Sequence, residues 1–181
     1  MSTTLPLAAI AVFLVLLFHH HHLHRVEATV EDICGALINR RTTLPKYSKS
    51  FCVTTLKEDP SSASTADPKS FARIAIKLSL TKGSIVDNKI ADLIQNTKND
   101  TEKLDRLWLC RKEYVNMVGT LYDVDDDIKE NNIAEVKKIL APQVGAPIRC
   151  ERKYPKHFTK ENIAQNYIMS ISYDIIDIFL S

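Results

Sequence analysis

The apolar residues of this chain recur at the spacing of an α-helix, and the alternating pattern of a strand is scarce. Only four glycines interrupt the whole sequence. The pattern therefore predicts an all-α fold. The predicted helices cover about 29–41, the residues around 51–56, about 67–96, about 101–129, a segment that starts near 132, and a last segment that starts at 159.

Local signals mark the ends of several of these helices. Thr29 and Asp32 resemble a capping box, which favours a helix start at this point. Asp67 followed by Pro68 is typical of an N-cap and a first helical turn. Two prolines and a glycine between 141 and 147 predict a kink or a break in the segment that starts near 132.

The apolar stripes of the three longest helices predict how they pack. Four amphipathic helices after a shorter helical pair predict an antiparallel up-and-down four-helix bundle (64–181) preceded by an N-terminal α-hairpin (29–63). The expected core positions are Phe71, Ile74, Leu78, Ile85, Ile90, Leu93 and Ile94 in the first long helix, Leu104, Leu107, Trp108, Tyr114, Val115, Val118, Leu121, Tyr122 and Ile128 in the second, and Ile163, Tyr167, Ile171, Ile175 and Ile178 in the last.

The N-terminal segment has the pattern of a secretory signal peptide. The apolar run Leu5–Phe18 is too short to span a membrane, which takes about 20 residues. Val26-Glu27-Ala28 offers small residues at the positions required for cleavage after Ala28. We therefore expect residues 1–28 to be removed, including the histidines at 19–22 and 24, and the protein to be secreted. An uncleaved membrane anchor is the alternative interpretation.

Composition and motifs argue against nucleic-acid binding and catalysis. A formal net charge of +2 gives no dense basic stripe for phosphate. The chain has no HExxH, no GxxxxGK[ST] and no GxGxxG sequence, and His157 is the only histidine after the signal peptide. We therefore expect a protein that is not an enzyme and that needs no cofactor and no metal.

Four cysteines follow the signal peptide: Cys34, Cys52, Cys110 and Cys150. In an exported protein they predict two disulfides, and three pairings are open. Asn99-Asp100-Thr101 is a sequon in a predicted loop, so Asn99 is a candidate glycosylation site. The carboxylates between 123 and 127 are either a solvated helix face or a contact for a basic partner.

The chain resembles the plant invertase/pectin methylesterase inhibitor family, which includes pollen-allergen-like members. The resemblance rests on Ile33-Cys34, on Phe51-Cys52-Val53 with Asp59-Pro60-Ser61-Ser62-Ala63, on the spacing of the last two cysteines, and on Thr159-Lys160-Glu161-Asn162. It implies a four-helix bundle after an α-hairpin, with Cys34 bonded to Cys52 and Cys110 to Cys150. It also implies a secreted inhibitor that covers the active-site cleft of a cell-wall carbohydrate enzyme in a one-to-one complex.

Two departures from the family pattern bear on the target. Invertase inhibitors of the family carry Pro-Lys-Phe where this chain has Asn131-Asn132-Ile133. Around the fourth cysteine the family commonly has Thr-Cys-Glu and an acidic residue, whereas this chain has Arg149-Cys150-Glu151-Arg152-Lys153. Because Pro-Lys-Phe is absent while the cysteine framework is present, the resemblance favours inhibition of pectin methylesterase, with inhibition of acid invertase as the alternative.

The second and third bundle helices are the expected source of contacts with the enzyme. The candidate partner-binding residues are Asp125, Asp126, Glu130 and Asn132. From other classes of function, a carrier of small ligands inside the bundle, an allergen-like protein without inhibitory activity and a secreted signal for a receptor remain open.

Overall fold

A computed structural model describes residues 28–40 and 47–181. The predicted signal peptide, apart from Ala28, lies outside the described residues, as do the N-terminal histidines. Among the described helices, none combines the length and the hydropathy needed to cross a membrane. The helices are α1 (Val30–Arg40), α2 (Lys49–Leu56), α3 (Pro68–Asn96), α4 (Thr101–Lys129), α5 (Ile133–Val144), α6 (Ala146–Lys153) and α7 (Thr159–Phe179), with a 3₁₀ turn at Pro60–Ala63.

The predicted helix starts are confirmed by their caps. The Thr29 amide donates to Asp32 Oδ2 at 3.0 Å, and the Asp32 amide donates to Thr29 Oγ1 at 3.2 Å, which is the reciprocal pair of a capping box. The Asp67 carboxylate caps α3 by accepting from the Ser70 amide at 3.0 Å. These bonds satisfy amide groups that no helical carbonyl can reach.

α1 and α2 form a hairpin that lies against the bundle. The disulfide Cys34–Cys52, called here the hairpin bridge, joins the two helices with their Cα atoms 5.8 Å apart. The ring of Phe51 packs edge-on against Tyr167 of α7, with the ring centroids 5.4 Å apart. The hairpin is therefore tied both to itself and to the last bundle helix.

The remaining helices form the predicted four-helix bundle, in which α5 and α6 together make the third member. α3 packs against α4 and α7, and α5 and α6 pack against α4 and α7, so that α7 lies diagonally across from α4. Ion pairs between Arg73 and Asp125 and between Asp87 and Arg111 show that α3 and α4 run antiparallel. The disulfide Cys110–Cys150, called here the bundle bridge, joins α4 to α6.

The predicted break in the third bundle helix is confirmed. Pro142 lies in the last turns of α5, the helix ends at Val144, and Pro147 lies in the first turn of α6. Because proline has no amide proton and clashes with the preceding turn, the two prolines restrict regular helix to either side of Gly145. The Arg149 guanidinium donates to the carbonyl of Pro142 at 3.0 Å across this break.

The predicted core face of α4 is partly wrong. Trp108, Val115 and Tyr122 were expected inside, but they are 51%, 48% and 59% exposed. Each follows a fully buried residue, and one residue turns the helix by about 100°. The face that is buried repeats at alternating steps of three and four residues, and its members are Leu107, Cys110, Tyr114, Met117, Leu121, Val124 and Ile128.

Two further core predictions are wrong. Ile85 of α3 is half-exposed, because the neighbouring Val86 faces the core instead. Ile163 of α7 is also exposed, because α7 begins its buried face with amide side chains. Gln165, for example, donates to the carbonyl of Ser79 at 2.8 Å, which satisfies a polar group inside the bundle.

Candidate functional site

Exposed apolar side chains concentrate on α4. Of the six large hydrophobic side chains exposed in the described part of the chain, four belong to this helix. Trp108, Val115 and Tyr122 recur every seven residues, and we call them the outer face of α4; it extends over about 21 Å at 1.5 Å per residue, and Leu109 is turned about 100° away from Trp108. The Arg111 guanidinium lies 5.6 Å from the centroid of the Trp108 ring. Exposed apolar patches with aromatic residues are typical of protein-binding surfaces.

The structure brings the four predicted partner-binding residues together at the end of α4 and the turn after it. Asp126 has a side chain that is 75% exposed, and Glu130 is exposed as well. The side-chain Nδ2 of Asn132 donates to Glu130 Oε2 at 3.2 Å and to Asp127 Oδ1 at 3.1 Å. This acidic end of α4 adjoins Tyr122 of the outer face.

Asp125 differs from the other three because it is committed to ion pairs within the protein. Its carboxylate accepts from Arg73 Nε at 2.9 Å and lies 2.8 Å from Lys129 Nζ. Partial burial opposes the charged form of Asp125, but these hydrogen bonds outweigh burial and hold its pKa below the ordinary value. Asp125 therefore positions α3 against α4 and offers less of its carboxylate to a partner.

A lysine fixes the turn between α4 and α5. Asn131 has a φ of 62°, in the left-handed region that asparagine tolerates better than most residues. Lys69 Nζ donates to Asn131 Oδ1 at 2.7 Å and to the carbonyl of Lys129 at 3.1 Å. The turn that replaces Pro-Lys-Phe is thus bonded to the start of α3.

A groove of about 560 Å³, called here the α3–α4 groove, opens beside the acidic end of α4. Asp59 is one of its lining residues and accepts from the Ser61 amide at 3.0 Å and from Lys77 Nζ at 2.8 Å. These bonds lower the pKa of Asp59 to about 2, and the bond from Lys77 has the largest effect. The groove is lined by Asp59, Ser61, Ser64, Thr65, Ser70, Arg73, Ile74, Ile76, Lys77, Leu80, Tyr122, Asp125, Asp126 and Lys129.

Two of the basic residues that depart from the family pattern, Arg149 and Lys153, form ion pairs within the protein. Arg149 Nε donates to Glu113 Oε2 at 2.7 Å, and Lys153 Nζ donates to Glu113 Oε1 at 2.6 Å. Burial opposes ionisation of Glu113, yet the two cations lower its pKa. The pairs lie beside the bundle bridge and join the same two helices, so Glu113 balances one of the two positive charges of Arg149 and Lys153. Arg152 is exposed.

A polar network that sequence reasoning missed runs from the buried Tyr114 to the surface and joins α4, α6 and α7. Tyr114 donates its hydroxyl proton to Asn162 Oδ1 at 2.7 Å, and Asn162 Nδ2 donates to Glu151 Oε2 at 2.7 Å. Glu151 Oε1 accepts from Thr159 Oγ1 at 2.7 Å and from the Lys156 amide at 3.0 Å. Burial raises the pKa of Tyr114 above its ordinary value. Each group has a partner, so the network holds the α6–α7 loop in place.

The sequon lies at the other end of α4. Asn99 is exposed in the loop between α3 and α4, with a φ of 58°. The Asp100 carboxylate caps α4 by accepting from the Lys103 amide at 2.9 Å. With 29 residues, α4 is about 43 Å long, so Asn99 is remote from the acidic end.

The four cysteines and His157 make contacts within the fold. All four cysteines are in disulfides. Over residues 28–40 and 47–181, no three residues among His, Cys, Asp and Glu are grouped so that they could hold a metal ion. The ring of His157 stacks on that of Tyr154, with the centroids 3.9 Å apart.

Fold and disulfides together define the class: small helical bundles that carry an N-terminal α-hairpin and two disulfides. A family model described as plant invertase/pectin methylesterase inhibitor matches residues 28–179, so the chain belongs to this family. Members of the family are inhibitors rather than enzymes, and their partners are carbohydrate-active enzymes. No curated protein matches the chain.

Proposed function

We propose that this protein is a secreted inhibitor of pectin methylesterase that blocks the active-site cleft by one-to-one, non-covalent binding. Family membership supports the class of function, and the outer face of α4 is the observation that carries the proposal. Exposure of a tryptophan, a tyrosine and two aliphatic side chains on one helix is unfavourable in water, and a partner that covers them removes this cost.

The proposed interface has two kinds of contact. Trp108 and Tyr122 are the anchors, because large aromatic side chains that become desolvated contribute most of the energy of many interfaces. Asp126, Glu130 and Asn132 supply a polar rim that steers a basic patch of the enzyme toward the inhibitor. Asp125 supports this surface from behind through its ion pairs.

Pectin methylesterase is preferred to acid invertase because of the turn between α4 and α5. The family's invertase-binding motif is replaced by Asn131-Asn132-Ile133. Lys69 holds Asn131, the first residue of this replacement, in a left-handed conformation. Proline, whose φ is near −65°, could not adopt that conformation. Invertase inhibition is the runner-up and is assayed in parallel.

A carrier of small ligands receives less support. That function needs space inside the bundle, whereas the inward positions of α4 and α7 are occupied by side chains that are fully buried, such as Leu107, Met117 and Ile175. Interiors packed in this way hold few voids larger than a water molecule.

Secretion to the cell wall and glycosylation complete the proposal. The signal peptide at 1–28 is removed on export, and residues 29–63 and 64–181 form the hairpin and bundle units. A glycan on Asn99 lies at the end of α4 opposite to the acidic end, so it leaves that part of the interface accessible. Mass spectrometry before and after enzymatic deglycosylation tests the occupancy of Asn99.

Titration of purified protein against a panel of pectin methylesterases and acid invertases, at mildly acidic pH, tests the function. We expect inhibition of pectin methylesterase at micromolar protein or below. Unchanged pectin methylesterase activity throughout this range would eliminate the proposal, and inhibition of invertase alone would transfer it to the runner-up.

Paired variants test the interface. Trp108→Ala is expected to weaken inhibition by about 30-fold, as for loss of a ~2 kcal/mol anchor. Ile163→Ala, which also removes an exposed apolar side chain but on α7, is the matched control and is expected to leave inhibition unchanged. Equal effects of the two variants, with unchanged thermal unfolding, would contradict the assignment of the outer face of α4.

A further inference from the structure

The charges that line the α3–α4 groove cancel. Three basic and three acidic side chains line it, and each of them forms an ion pair with another member of the set. A ligand with a net charge of either sign would find no excess of the opposite charge there. The pairs are Lys77 with Asp59, Arg73 with Asp125, and Lys129 with both Asp125 and Asp126.

Hydrogen-bonding capacity nevertheless remains along the groove. Arg73 donates to Asp125 through Nε, and its two terminal amino groups have no partner among the described residues. Lys77 contacts one carboxylate while its side chain is 71% exposed, so further N–H groups of its ammonium are open to solvent. Asp126 is exposed and supplies free acceptor lone pairs. The groove thus presents donors and acceptors side by side, held in place by ion pairs.

An aromatic ring and apolar side chains complete the lining. Tyr122 stands at the groove with more than half of its surface exposed, and Ile74 and Leu80 supply apolar surface. Serine and threonine hydroxyls line the segment after the 3₁₀ turn. The volume of about 560 Å³ lies within the usual range of small-molecule sites, which combine apolar walls with a few fixed polar groups.

We propose that the α3–α4 groove binds a short neutral oligosaccharide. A sugar chain carries vicinal hydroxyls that both donate and accept, which matches the guanidinium, ammonium and carboxylate groups of the ion pairs. The C–H face of a pyranose ring packs on the exposed face of Tyr122. Uncharged sugar units add no net charge to a lining that is already balanced. The inference concerns a ligand of the inhibitor itself and holds whichever enzyme is inhibited.

Calorimetric titration of the mature protein tests the site. The probes are a cello-oligosaccharide and a fully methyl-esterified oligogalacturonide, both neutral, and the de-esterified oligogalacturonide, which is anionic. We expect saturable binding of at least one neutral probe and weaker binding of the anionic one. No heat of binding with either neutral probe up to about 10 mM would overturn the proposal, and so would preferential binding of the anionic probe.

Variants of the exposed Tyr122 locate the binding. Tyr122→Ala is expected to weaken binding of the neutral oligosaccharide by about tenfold, whereas Tyr122→Phe keeps the ring and is expected to retain most of the affinity. Arg73→Met removes the free donors and is expected to weaken binding as well. Binding that is indifferent to both Tyr122→Ala and Arg73→Met would place the saccharide elsewhere and overturn the assignment of the groove.

Discussion

Two glycines in the middle of long helices give opposite predictions for the same substitution. Glycine in a helix interior costs about 1 kcal/mol relative to alanine, so the sequence alone predicts that Gly119→Ala and Gly83→Ala each stabilise the protein. At Gly119 of α4, a Cβ atom would meet no other heavy atom within 4 Å. The full gain in the free energy of unfolding, about 1 kcal/mol, is therefore expected for Gly119→Ala.

At Gly83 the added methyl group has no free space. Its Cβ would lie 3.0 Å from Met117 Cε, 3.2 Å from Val118 Cγ2 and 3.3 Å from Gln165 Nε2. The methionine end can move, but the Gln165 amide is held by its hydrogen bond to the main chain of α3. Overpacking of a well-filled core costs about 1–3 kcal/mol, so Gly83→Ala is expected to lose up to about 2 kcal/mol after the helical gain.

Urea and thermal unfolding of the two variants, followed by circular dichroism, measure the difference. For a domain of this size, 1 kcal/mol shifts Tm by about 2–4 °C, so Gly119→Ala is expected to melt above the parent protein and Gly83→Ala at or below it. Equal stabilisation by both variants would refute the argument that α3, α4 and α7 meet at Gly83 without room for a side chain.

Three further predictions concern stability. Asp59→Ala is expected to cost about 1–2 kcal/mol of the free energy of unfolding at neutral pH, because it removes a cap. The pKa of Asp59 is lowered from 3.8 to about 2, so this contribution is complete above pH 3.8 and is lost as pH falls toward 2. The stabilities of parent and variant should therefore converge in acid, and a difference that does not change with pH would contradict the ion pair. Tyr114→Phe leaves the Asn162 carbonyl without its donor and is expected to cost about 1–3 kcal/mol in urea unfolding, while a neutral result would mean that water replaces the hydroxyl. Removal of the bundle bridge, which spans 40 residues, is expected to lower the free energy of unfolding by about 4 kcal/mol through chain entropy, and removal of the hairpin bridge, which spans 18, by about 3 kcal/mol. A larger loss of thermal stability on removal of the hairpin bridge would point to strain or to residual structure in the unfolded state instead.

The sequence by itself determined most of the helices and several of their ends. The caps at Thr29 and Asp67 and the break near Gly145 depend on residues within a turn of one another. Their energetics therefore follow from residues that are close together in the sequence. The family also followed from local motifs around the cysteines, and the family match over residues 28–179 confirms it. The target enzyme stays a prediction.

Only the tertiary structure decided which apolar side chains of α4 turn inward. The helix carries apolar residues around much of its circumference, so two rows of side chains could face the core, one through Leu107 and Tyr114 and one through Trp108 and Tyr122. Contact with α3, α5 and α6 selected the first row. Charge pairing was decided in the same way, since Glu113 pairs with Arg149 and Lys153, which lie far from it in the sequence. Pairing and burial across helices depend on distances that folding creates, and for that reason the exposed outer face of α4 and the charge-balanced groove emerge only from the packed bundle.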